Sequence, residues 1–152
     1  MKPLLIALIF AVASLTAAAP ASAGIEALPL KGIRSLSVLI EEVSPNSCGV
    51  TKADLETDVR YVLSQSRIKI VDNVFGGYVY VAVTVLDDCS AANVEIAVEV
   101  NAVISRTKRE ELVDIWDKTE LLGGRSEMQT RIGDTVEQLT KKLVVDWASV
   151  NQ

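Results

Sequence analysis

The sequence contains no histidine, which removes the side chain most used as a general base near neutral pH and the commonest nitrogen ligand of zinc. Its two cysteines, Cys48 and Cys89, lack the C-x-x-C spacing of a redox pair and are too few for a four-ligand zinc site. Glycine is paired at Gly76-Gly77, but neither a Walker spacing nor a Gly-x-Gly-x-x-Gly pattern is present and a strand pattern follows, so no phosphate-cradling loop is expected. Aromatics make up 5% of the chain, and none is interleaved with a basic stripe of the kind that binds nucleic acid. No cofactor or metal signature emerges. No apolar run reaches the roughly 20 residues of a bilayer span.

What is present begins with an export signal. Lys2 supplies a positive n-region, Leu4 to Val12 an apolar h-region, and Ala21-Ser22-Ala23 a small-residue cleavage site. A membrane anchor is disfavoured because the apolar core is short and Pro20 follows it. No cysteine adjoins the cleavage site, so a lipid-anchored form is not expected either. Removing residues 1–23 leaves 129 residues, the size of one domain, with 14 basic and 20 acidic residues and a net charge of −6. Such a balance offers no overall attraction to nucleic acid or to anionic lipid. In an oxidising compartment Cys48 and Cys89 are expected to form one structural disulfide.

The strongest strand signal is Gly77 to Asp88, in which Val79, Val81, Val83 and Val85 recur at period two. Residues 24–34 read as a short extended leader. A first strand follows over Ile33 to Val43, with Leu36, Val38 and Ile40 facing one way and Ser35, Ser37 and Glu41 the other. Ser44-Pro45-Asn46-Ser47 is turn chemistry. Thr51 with Asp54 predicts the start of a helix over Lys52 to Gln65, with Leu55, Val59, Val62 and Leu63 as its apolar stripe. The acidic residues on its other side read as a solvated face, not as a calcium site.

Arg67 to Val71 reads as a short second strand, and the glycines after it suggest a hairpin into Gly77 to Asp88. From Ala92 to Ser105 the alternation is clean: Val94, Ile96, Val98 and Val100 face one way, Glu95, Ala97 and Glu99 the other. One wet face of an antiparallel sheet gives this pattern. Leu112 to Leu121 is the last strand, and Ile132, Val136, Leu139, Leu143 and Trp147 form the stripe of a helix ending at Ala148. Its start is predicted at Glu127 or at Asp134. The later start is favoured, because Gly133 inside a helix costs about 1 kcal/mol. The expected fold is α+β, a mostly antiparallel sheet of four or five strands with two helices on one face, in the order β-α-β-β-β-β-α.

Three functional classes remain. An enzyme without histidine would need Asp, Glu, Lys or Tyr as acid or base and Ser, Thr or Lys as nucleophile; the acidic pair Asp87-Asp88 reads better as a turn that stops its strand. A small ligand held between sheet and helices has no residue signature, since the apolar stripes match well enough to fill the core. An interaction module fits best: the face opposite the valines carries Tyr78, Tyr80 and Thr84 beside Ala82, Ala97 and Val103, with Glu95 and Glu99 around them. Aromatics on a polar sheet face suit a protein partner or a homodimer.

The helix start Gly49-Val50-Thr51-Lys52 to Leu55, the segment Ile68-Lys69-Ile70-Val71 and the strand Tyr80-Val81-Ala82-Val83 resemble small secreted bacterial proteins of unassigned function. That resemblance implies a bacterial source and a periplasmic address, and no residue role.

Overall fold

A computed structural model describes residues 29–43, 48–72, 77–103 and 105–151. The expected export signal and the turn expected at residues 44–47 therefore lie outside the described residues. Seven elements follow along the chain: β1 (Ser35–Ile40), α1 (Lys52–Ser64), β2 (Lys69–Ile70), β3 (Tyr78–Val85), β4 (Ala91–Val103), β5 (Glu110–Gly123) and α2 (Met128–Val150). The strands form one sheet in the order β2-β1-β3-β4-β5. The fold is α+β, and the longest ladders, β3 with β4 and β4 with β5, are antiparallel.

Period-two alternation decides which face of the sheet is dry. Val79, Val81 and Val83 on β3 stand in register with Val98, Ile96 and Val94 on β4, and all six are buried. Both helices cover this face. From α1 it receives Leu55, Val59 and Leu63, and from α2 Ile132, Val136 and Leu143, joining one core with Leu36 and Ile40 of β1. Thr51 caps α1 as expected: its Oγ1 accepts from the Asp54 amide at 3.2 Å, which satisfies one of the orphan donors of the first turn.

The hairpin expected between β2 and β3 does not form. β1 lies between them and pairs with both in parallel, Ser35 opposite Lys69 and Ser37 opposite Tyr78. The cause is the direction of α1, which returns the chain to the end where β1 began, so β2 must run with β1 and cannot reverse into β3. Gly77 is required on entering β3. Its φ is +129°, and a Cβ there would stand 2.9 Å from Val100 Cγ1 and 3.1 Å from the Glu99 carbonyl oxygen.

The later start expected for α2 is also corrected, because the helix begins at Met128 and runs through Gly133. Met128 and Ile132 are 3% and 0% exposed. Burying two such side chains is worth about 1.5–3 kcal/mol each, which exceeds the glycine penalty. No side chain caps this start, and Gln129 instead donates to the Gly49 carbonyl of the other helix approach at 3.1 Å.

Over its described residues, 29–34, the leader is less extended than expected. Leu30 is fully buried, and its carbonyl accepts from Asn151 Nδ2 at 2.9 Å. Trp147 Nε1 donates to the Ile33 carbonyl at 2.7 Å, so the end of α2 and the approach to β1 hold each other. β5 is longer than Leu112 to Leu121 and carries a bulge where Val98 faces Trp116 but Glu99 faces Asp114. The bulge absorbs the adjacent apolar pair Ile115-Trp116, which strict alternation cannot place on one face.

Cys48 and Cys89 form a disulfide with a Cα–Cα separation of 5.7 Å. β1 and β3 are parallel, so the chain leaving β1 toward α1 and the turn leaving β3 emerge at the same end of the sheet, and the bridge closes between them. Across a sequence separation of 41 the chain-entropy model assigns the bridge roughly 4 kcal/mol. The double variant Cys48→Ala/Cys89→Ala is expected to lose about 2–4 kcal/mol of unfolding free energy in urea, and an unchanged midpoint would refute the structural role.

Candidate functional site

The face of the sheet away from the helices is uncovered among the described residues. Register assigns its members: Ser37, Leu39 and Glu41 from β1, Tyr78, Tyr80, Ala82 and Thr84 from β3. β4 adds Asn93, Glu95, Ala97 and Glu99, and β5 adds Asp114, Asp117, Thr119 and Leu121. All five residues read from the sequence, Tyr78, Tyr80, Thr84, Glu95 and Glu99, lie on this one face. Thr84 is exposed, and the other four are half-buried.

The tyrosines are held in place. Tyr78 and Glu99 are opposite each other in the β3–β4 ladder, and the phenol donates to Glu99 Oε2 at 2.6 Å. Tyr80 leans the other way and donates to Glu41 Oε2 at 2.7 Å. Charge-assisted bonds of this length are the stronger class. Ala97, opposite Tyr80 in register, is only 2% exposed although it lies on the open face; a side chain this small sits below its larger neighbours. The two rings thus lie over the middle of the sheet with their hydroxyls pulled toward carboxylates on either side.

That arrangement raises both phenol pKa values. Tyr78 is pushed up to about 12, first by burial, then by its hydrogen bond to Glu99 and by the charges of Glu99 and Asp114. Tyr80 also rises to about 12, first through the hydrogen bond to Glu41, then through burial and the charges of Glu41, Glu95 and Glu99. In each case the neutral phenol is the donor that the carboxylate needs.

Several members of the face were not picked out by the sequence. Leu39, in register with Tyr80 and 39% exposed, is an apolar residue at a polar position of the β1 alternation, and that irregularity is its signal. The β1 alternation puts Glu41 on the polar side, but its contact with Tyr80 depends on parallel pairing, and the place of Asp114 depends on the bulge. Beyond Thr84 the face ends in a shallow apolar cleft of about 250 Å³ that Leu86 and Leu121 line; both are more than half exposed.

The acidic pair Asp87-Asp88 stands apart from this face chemistry. Asp88 accepts from the Ser90 amide at 3.0 Å and from Arg125 Nη2 at 2.6 Å. Its carboxyl is held down to about 2, first by Ser90 and then by Arg125. It fixes the turn that carries Cys89. Among the described residues no group of three His, Cys, Asp or Glu side chains is arranged to hold a metal ion. No helix among them is long and apolar enough to cross a membrane.

No family model matches the chain, and no curated protein matches it. Among solved structures it is similar to a minor lipoprotein from Acinetobacter baumannii, at 12% identity over 76% of this chain and 94% of that one, with a TM-score of 0.31. An overlap this low assigns neither fold nor activity.

The tyrosine geometry has a titration signature. A phenol whose folded pKa lies above its unfolded value of about 10 stabilises the fold fully below that value and loses the contribution as pH rises through about 12. Followed by the ultraviolet phenolate band, Tyr78 and Tyr80 are expected to ionise well above the ordinary range. Glu99→Gln should bring Tyr78 down and move Tyr80 less. Ionisation of both at the ordinary value would show that the two hydrogen bonds do not persist in solution.

Proposed function

We propose that the chain is an exported interaction module of the bacterial cell envelope, and that its open sheet face docks a basic, partly apolar segment of another envelope protein. The observation that carries the docking reading is the composition of that face. Tyr78, Tyr80, Leu39 and Ala82 offer apolar contact, and Glu41, Glu95, Glu99, Asp114 and Asp117 surround them. On β1, β3, β4 and β5 no lysine or arginine occupies a described position of the face, and Lys69, opposite Ser35, stands at its β2 edge. Two copies of this face would set carboxylate against carboxylate, which costs several kcal/mol where charges of one sign meet. Complementarity therefore favours a basic partner over a second copy.

Export is supported by the leader of residues 1–23 and by a disulfide of the kind that persists in oxidising compartments. Intact-mass measurement of the periplasmic protein should give a chain beginning at Gly24. A chain that retains Met1 would overturn the cleavage.

The docking reading is tested with a soluble peptide of alternating lysine and leucine, titrated into the oxidised protein and followed by NMR. Shifts should concentrate at Leu39, Tyr78, Tyr80, Glu95 and Glu99. Reversing charge with Glu95→Lys/Glu99→Lys should weaken binding by about tenfold or more. Shifts confined to another surface would sink the assignment. A concentration-dependent dimer that Tyr80→Glu dissociates would replace the basic partner with a second copy.

A further inference from the structure

The net charge of the chain conceals a separation of charge along the strand axis. Lys31 and Arg34 precede β1, and Arg67 and Lys69 lie at β2, whose residues pair with the first residues of β1. Arg106, Lys108 and Arg109 occupy the turn between β4 and β5. β4 runs antiparallel to β3, and Tyr78 at the start of β3 faces Glu99 near the end of β4, so this turn projects at the same end as the start of β1. All seven cations are exposed. Ion pairs among the described residues engage Lys52, Arg60, Arg125 and Lys141. At this end the carboxylates include Glu99 and Asp114, which face each other across β4 and β5, Glu110 and Glu111 on β5, Asp72, which Arg60 already engages, and Asp146, which accepts from Trp116 Nε1 at 3.0 Å. The positive charge is in excess.

Two further features give this end a shape. Val103 and Leu112 stand on the β4–β5 hairpin next to the basic turn, 60% and 49% exposed, and lie on the same face of the hairpin, since Val103 pairs with Glu110 and Asn101 with Leu112. Two shallow clefts adjoin on the side of β1, both lined by Arg67, Trp147 and Asn151, and Lys31 and Arg34 rim one of them. Across five strands at about 4.8 Å spacing the basic end is roughly 20 Å wide.

We propose that this end is a peripheral membrane-binding surface, in which anionic phospholipid headgroups engage the cations and Val103 and Leu112 enter the interfacial layer. Exposed apolar side chains flanked by lysine and arginine match a bilayer surface, whose anionic headgroups overlie acyl chains. A soluble polyanion would use the charges and leave the two apolar residues idle. The binding is reversible and requires no anchor. Val103 and Leu112 continue the tyrosine face beyond Glu99 and Asp114, so the membrane engages the end of that face, and Tyr80, Ala82 and Thr84 lie farther along the strands, away from it.

The test is co-sedimentation of the mature, oxidised protein with vesicles of phosphatidylethanolamine and phosphatidylglycerol, against vesicles of phosphatidylcholine, over a salt series. Binding is expected only to the anionic vesicles, and it should fall as salt rises. Each cation near such a surface is worth about a fivefold factor, so Arg106→Gln/Lys108→Gln/Arg109→Gln should bind on the order of 100-fold more weakly. Lys52→Gln/Arg125→Gln/Lys141→Gln removes the same charge elsewhere and should bind as the unaltered protein does. Val103→Ser/Leu112→Ser should weaken binding without changing its salt dependence. Circular dichroism confirms that each variant is folded. The proposal fails if the anionic vesicles bind nothing at low salt, or if both charge variants lose binding equally. It also fails if Val103→Ser/Leu112→Ser has no effect and soluble polyphosphate competes fully, an outcome that leaves only general polyanion binding.

Discussion

The parallel pairing of β1 with β3 is the constraint on which the remaining geometry depends. Ser37 to Ile40 lie opposite Tyr78 to Val81, so both strands finish at the same end of the sheet. α1 must then begin at that end, and α2, which follows the antiparallel β5, begins there too. The Cys48–Cys89 bridge and the contact of Gln129 with the Gly49 carbonyl are consequences of this arrangement, because each joins segments that parallel strands bring together. Reversing β3 would separate Cys89 from Cys48 by the length of the strand.

The parts of this fold that were legible in the sequence are those whose environment is set within a few residues. β4 alternates because one side of each strand meets helices and the other meets water, and the helices carry their apolar stripes at the spacing that buries them. What was not legible depends on partners distant in sequence. A hairpin between β2 and β3 satisfies every local rule, and only the return path of α1 forbids it. The start of α2 turned on comparing a local penalty at Gly133 with the burial of Met128 and Ile132, and that burial exists only once the core is assembled. The candidate face divides in the same way. Parity along β3 and β4 identified Tyr78, Tyr80, Thr84, Glu95 and Glu99, whereas Glu41 reaches Tyr80 only through parallel pairing, and Asp114 faces Glu99 only because β5 is bulged.

The hydrogen bonds from Tyr78 and Tyr80 give the open face a character that residue types alone do not convey. A free tyrosine on a sheet samples several rotamers, and ordering it on binding costs about 0.5–1.5 kcal/mol. Here Glu99 and Glu41 already fix the two hydroxyls, so part of that cost is met in the free protein. The same bonds go to Oε2 of each carboxylate and do not use Oε1. A cationic partner could therefore approach without breaking either bond.

Helix direction also bears on why cations collect at the opposite end. α1 and α2 run side by side in the same sense, so their C-terminal partial charges add at the end where β1 starts. Neither helix has a basic residue in its last turn. Arg67, two residues beyond the Gln65 cap of α1, and Lys31, next to the Gly32 amide that Asn151 accepts at 2.7 Å, are placed to offset that negative potential. At the other end carboxylates gather instead: Asp54 lies in the first turn of α1, and Asp58 is pushed above the ordinary carboxylate range, first by burial and then by Asp54, Glu137 and Asp134. The helix field decays within about one turn, however, and the turn between β4 and β5 belongs to neither helix. Offsetting the helix termini therefore accounts for Arg67 and Lys31 and leaves Arg106, Lys108 and Arg109 without a role inside the fold. Three exposed like charges on one short turn repel one another; Glu110 and Glu111, which follow them, offset part of that repulsion, and an anionic surface outside the molecule would offset the rest.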